Sequence, residues 1–156
     1  LVQDFVALHM TWGAANELST LTAYHRLIAK TSNPQLVNLL NAIIKDERRH
    51  FAFYRAQARL RLARGRSARR VTRWAMDHLW AIVGTGVRPQ AETDFVVLHL
   101  FGDREGLDAS REMDRTMEEF PGLAGAGIFA RAAREATARG HRIRPSAPGM
   151  WRAVPA

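Results

Sequence analysis

The sequence is 156 residues long, 47% hydrophobic and 24% charged, with a formal net charge of +8, which suits one globular domain with a sizeable core. It contains no cysteine, which excludes disulfide scaffolds, thiolate zinc sites and cysteine nucleophiles and leaves His, Asp and Glu to hold iron, manganese or zinc. No apolar run is long enough for a membrane span and no signal-peptide pattern is visible, so the chain reads as cytoplasmic.

The chain opens on Leu1-Val2-Gln3-Asp4-Phe5, already in helical phase and with no capping residue before it. That start predicts a chain that is part of a longer protein. Residues 1–30 read as one long helix, with Val2, Val6, Met10, Gly13, Glu17, Leu21, Tyr24 and Ile28 recurring at steps of three and four. Thr31-Ser32-Asn33-Pro34 breaks it, with Asn33 as N-cap and Pro34 at the first position of the next helix. That helix is expected to run to about residue 63 and to lie antiparallel to the first.

Arg64-Gly65-Arg66-Ser67 reads as a C-cap followed by a basic linker. A third helix is expected over about 68–83, ended by Gly84-Thr85-Gly86 and Pro89. Residues 91–101 are apolar, and pattern alone does not separate helix from extended chain there. Two further helices are expected over 108–120 and 122–139. The Pro-rich tail from Arg142 is expected to be extended or disordered. The resulting organisation is a helix pair over 1–64, a C-terminal helical region over 65–140 and a tail over 141–156, in an all-α bundle.

The charge is unevenly placed. Residues 51–90 hold nine Arg against one acid, Asp77, whereas the flanking segments are close to neutral. Such a band suits an acidic carrier protein, a nucleic acid or a membrane surface, and equally a plain solvated face. Arg59, Arg66, Arg69 and Arg70 are its candidate partner-binding residues. Nucleic acid is disfavoured, because the band lacks closely interleaved aromatics of the stacking type.

The chemistry lies on the first two helices. Leu36, Leu40, Ile43, Glu47, His50 and Tyr54 form a seam with steps of four and three, so Glu47 and His50 fall where Leu or Ile is expected. Glu17 takes the same kind of position on the first helix, between Gly13 and Leu21. A buried carboxylate must be paired, protonated or metal-bound. Glu-x-x-His alone is common and could be a surface ion-pair cluster. Three metal-capable residues on facing seams make a metal site the stronger reading. One Glu plus one Glu-x-x-His, supplied twice, is the ligand set of di-iron carboxylate bundles. His9, His25, His78 and His99 have no carboxylate at ligand spacing and read as packed or exposed histidines.

The stretch Asn16-Glu17-Leu18-Ser19-Thr20-Leu21-Thr22-Ala23-Tyr24, with Asp46-Glu47-Arg48-Arg49-His50-Phe51-Ala52-Phe53-Tyr54, resembles the second ligand pair of the acyl-carrier-protein desaturases. These are diiron enzymes of the ferritin-like superfamily. The resemblance implies Glu17 as a terminal iron ligand, Glu47 as the bridge between two irons (manganese suits the same ligands) and His50 as a ring-nitrogen ligand. It implies that Asp46 accepts a hydrogen bond from the histidine of the other half-site. It further implies dioxygen-dependent oxidation of an unactivated C–H bond of an acyl chain. A ferredoxin-like donor would supply the electrons, and an acidic acyl carrier protein would dock on the Arg band.

The sequence departs from that family in one respect: it holds no second Glu-x-x-His. The bundle is therefore expected to be partial, lacking its first helices. The other half comes from elsewhere in the same protein or from another chain. A two-fold dimer sharing the site would favour a ferritin-like iron oxidase, and a non-catalytic helical interaction module is the third reading.

Overall fold

The computed structural model describes residues 2–140, and the expected tail lies outside them. The described residues form six helices: α1 (Val2–Lys30), α2 (Pro34–Arg64), α3 (Arg66–His78), α4 (Gln90–Phe101), α5 (Arg104–Glu118) and α6 (Ile128–Gly140). No strand occurs among them; Thr85 and Arg88 form one isolated bridge. The all-α bundle expected from the periodicity is what the chain builds.

The joint between α1 and α2 follows its local chemistry. Asn33 Oδ1 accepts from the backbone N–H of Gln35 at 3.0 Å and of Leu36 at 3.1 Å. Pro34 fills a position whose N–H has no partner in any helix. The two helices run antiparallel: Gly13 meets Tyr54, while Glu17, further along α1, meets Glu47 and His50, further back on α2. Gly13 is needed there, since a Cβ would stand 2.5 Å from the Tyr54 ring. Without one, the ring lies directly on the α1 backbone.

Three of the periodic residues of α1 and α2 fall short of the core. Leu21 and Leu40 are buried, but Met10, Leu36 and Ile43 are only half-buried, and Ile44 takes the inner position instead of Ile43. The inner face of α2 continues through Ala58 and Leu62. It joins Ala7, Ala14 and Ala15 of α1 in one core with Met76, Leu100, Phe101, Met113, Met117, Phe120 and Phe129. Small residues on α1 let the neighbouring helices approach closely, and the large side chains come from the C-terminal region.

The expected basic linker is absent. Gly65 alone separates α2 from α3, in an extended conformation, and α3 starts at Arg66. That helix also ends early, at His78, because the N–H groups of Leu79 and Trp80 both turn back to the Ala75 carbonyl. Trp80 then dives into the core, edge-on to Phe129 at 5.0 Å, and its Nε1–H donates to Asn16 Oδ1 at 3.2 Å. Residues 90–101, ambiguous by pattern, are helical. The next helix starts four residues earlier than expected, capped by Asp103, which accepts from the Gly106 N–H at 2.7 Å.

Three buried charged side chains tie the region together. Arg26 of α1 donates to the Leu100 carbonyl at 3.0 Å, to Glu105 at 2.7 Å and to Asp103 at 2.5 and 2.7 Å. Arg139 forms a two-pronged pair with Asp94 at 2.9 and 3.0 Å. Asp114 caps α6 from a distance, accepting from the N–H groups of Phe129 and Ala130, both at 2.9 Å. Those are orphan donors at a helix start that holds no Ser, Thr, Asp or Asn of its own.

Candidate metal centre

Glu17 reaches the α1–α2 groove from a half-buried position, and Glu47 meets it from α2. One ligand atom each from Glu17, Glu47 and His50 lie within 4.8 Å of one another. Glu47 Oε2 is 3.0 Å from His50 Nδ1. The Glu47 side chain is 19% exposed, but that of His50 is 58% exposed. His50 therefore stands on the outer side of the cluster, not in the core position that its place in the seam suggests. Nothing among the described residues covers that side.

The electrostatics follow from the arrangement. Burial raises the Glu17 carboxyl above its ordinary value, and its hydrogen bond to Glu47 and that residue's charge push it the same way. The nearby His50 pulls it down. Two carboxylates in one groove resist ionising together, and a cation between them relieves that repulsion. The donor set is two oxygens and one imidazole nitrogen, which suits iron, manganese or zinc and not a soft thiophilic ion. Three protein ligands fit one ion with open positions and are half of what a two-ion centre takes.

Asp46 is exposed and accepts from Arg49 at 3.0 Å. Three histidines outside the cluster are engaged with aromatic rings: His9 with Phe5 and Tyr54, His78 with Trp74, His99 with Phe95. His25 is exposed.

One turn and two turns beyond Glu17 on α1, Thr20 and Tyr24 line a mainly apolar cavity of about 230 Å³. Its other walls include Ile82, Val97 and Phe101. Thr93 also lines it, and its buried hydroxyl has no hydrogen-bond partner among the described residues. Sequence reading missed this cavity because α4 could not be recognised as a helix facing α1.

The Arg band divides. Arg59 is exposed but faces Glu119 at 3.4 Å, beside Arg55, which meets the same carboxylate at 2.5 Å. Arg66 and Arg70 are exposed, and Arg69 is half-buried with its stem against Gly122. These three have no acidic partner among the described residues. They border a groove of about 460 Å³ that also holds Trp74 and His78.

Compared with known proteins, the chain matches no family model, no curated protein and no solved structure.

Proposed function

We propose that this chain supplies half of a carboxylate-bridged diiron centre in an oxidoreductase of the acyl-carrier-protein desaturase type. The observation that carries the reading is the convergence of Glu17, Glu47 and His50 within 4.8 Å on two antiparallel helices. Glu17 and Glu47 would hold the metal through carboxylate oxygens and His50 through a ring nitrogen, with iron the first choice and manganese the second. When bound, the metal pair would supply dioxygen reduction and oxidation of a C–H bond, with electrons from a ferredoxin-like donor. The apolar cavity lined by Thr20 and Tyr24, one and two turns along α1 from Glu17, supports a hydrocarbon substrate, since it offers an acyl chain contact without charge. The acyl carrier protein enters this reading as the donor of that chain.

Anaerobic Fe(II) titration followed by calorimetry tests it. The wild-type chain should bind iron, and Glu47→Ala and His50→Ala should not. Iron binding that is absent in the wild type, or unchanged in both variants, rejects the assignment.

A ferritin-like iron oxidase with a site shared by two copies is the second reading. It is favoured by Leu39, Phe53 and Leu60, which stand exposed on α2 in the same three-four phase as His50. Such a stripe suits a helix with a neighbour on a second side. Sedimentation with and without Fe(II) separates the readings. Iron-dependent dimers with one ion per chain support the shared site, and a monomer at all iron levels removes it.

A further inference from the structure

The outer face of α3 and the turn after it combine two properties that rarely coincide on a surface. Arg66, Arg69 and Arg70 carry charge that no neighbouring acid neutralises. Arg73 on the same helix, by contrast, is held by Asp77 at 2.6 Å and by the Ala124 carbonyl at 2.6 Å. Among and beyond these arginines, Val71, Trp74, Leu79, Val83 and Val87 are exposed, Trp74 at 56% and Val87 at 85%. Single exposed apolar residues are ordinary; a succession of five over seventeen residues is a marker of an interaction site.

The turn is built to hold this shape. Thr85 N–H donates to the Ile82 carbonyl at 3.1 Å, and the N–H groups of Val87 and Arg88 donate to the Gly84 carbonyl at 3.2 and 3.0 Å. Gly84 and Gly86 adopt φ of +100° and +79°, which residues with a side chain rarely enter. The result is a hydrogen-bonded turn on which Val87 is 85% exposed.

We propose that α3 and the 79–88 turn form an interfacial site for an anionic lipid surface. Arg66, Arg69 and Arg70 engage headgroup phosphates, Trp74 sits at headgroup level, and Leu79, Val83 and Val87 enter the acyl boundary. The contact is peripheral, since no described helix is long and apolar enough to cross a membrane. A nucleic acid would satisfy the arginines but offers nothing to the valines. One face of Trp74 is already covered by the His78 ring, at 5.4 Å and 20°, which halves its use for base stacking. A lipid surface takes both, headgroup phosphate against the arginines and acyl chain against the aliphatic side chains. Val83 also lines the apolar cavity between α1 and α4, but no residue of this site belongs to the Glu17, Glu47 and His50 cluster, so its test is independent of the metal reading.

Vesicle sedimentation of the full chain tests the proposal, using phosphatidylcholine alone and phosphatidylcholine with about a third phosphatidylglycerol. Binding is expected for the anionic vesicles only and should weaken as salt rises. Arg66→Glu with Arg70→Glu should lower the partition coefficient at least ~25-fold, from about fivefold per arginine removed. Val87→Asp should also weaken binding without disturbing the fold, because its side chain touches little else. Tryptophan emission should shift to the blue on binding, and Trp74→Phe should lose that shift. Failure to sediment with anionic vesicles overturns the proposal. So does binding that Val87→Asp leaves unchanged while the arginine variant loses it. Competition by an acidic polypeptide or single-stranded DNA with that same pattern would assign the face to that polymer instead.

Discussion

Glu47 is the hinge of the candidate centre: its Oε2 lies 3.0 Å from His50 Nδ1 on its own helix, while its charge raises the carboxyl of Glu17 on the other. It hydrogen-bonds both other residues of the cluster. Glu47→Ala is therefore expected to abolish Fe(II) and Mn(II) binding while leaving helix content unchanged by circular dichroism. Because a charge that repels Glu17 is removed, the metal-free variant should melt no lower than the wild type. Calorimetric titration and thermal melts on the same samples check both halves. A variant that melts clearly lower would mean that Glu47 is a structural partner of His50 and not a ligand.

Gly13 sits one turn before Glu17, against the Tyr54 ring. Gly13→Ala gains about 1 kcal/mol in helix propensity but drives a Cβ to within 2.5 Å of the ring. Overpacking of this kind costs roughly 1–3 kcal/mol, so a net loss of stability is expected. Splaying α1 from α2 should also weaken metal binding, since Glu17 moves with the backbone. Adding Tyr54→Leu should restore both, as measured by denaturant unfolding and by metal titration.

Asp94 is buried, and its hydrogen bonds from Arg139 hold its carboxyl below the ordinary carboxylate value, against the effect of burial; a bond from Gln90 adds to the lowering. A folded-state value below the unfolded one means that this pair stabilises fully above the usual Asp range, near pH ~4. The contribution fades as pH falls through the folded-state value. Asp94→Asn should cost roughly 1–3 kcal/mol at neutral pH. The gap between variant and wild type should narrow on acidification, because the wild-type side chain then becomes neutral as well. Urea unfolding at a series of pH values checks the slope. A gap that stays constant to low pH would mean that the charge contributes nothing.

Asp114 supplies the cap that α6 lacks in its own sequence. Asp114→Ala should destabilise by about 1–2 kcal/mol, the cost of losing an N-cap. Amide exchange should show the loss first at Phe129 and Ala130, whose N–H groups lose their acceptor. Uniform exchange across all helices would argue instead for a global packing defect.

The parts of this molecule that follow from neighbours in sequence were legible there. Asn33-Pro34 placed the α1–α2 joint because capping is decided within four residues. The spacing of Glu47 and His50, with Glu17 on the preceding helix, pointed to one groove because a short joint leaves little choice of packing. The parts that depend on distant partners were not. The end of α3 at His78 is set by Trp80 docking on Phe129 and Asn16, which no local pattern reveals. Ile44, not Ile43, faces the core, a one-position rotation that three-four spacing alone does not resolve. Asp94 and Arg139 are forty-five positions apart, and a charged residue in an apolar helix gives no hint of which partner will meet it.

Arg26 clamps α1 to the α4–α5 junction nine residues beyond Glu17, a span of about 13 Å along one rigid rod. Viewed as a lever pivoting at the clamp, a tilt of ~2° moves the Glu17 backbone by about 0.5 Å, roughly the tolerance of a working ligand geometry. The aim of the carboxylate is thus set at the far end of its helix, by a guanidinium that is no part of the cluster.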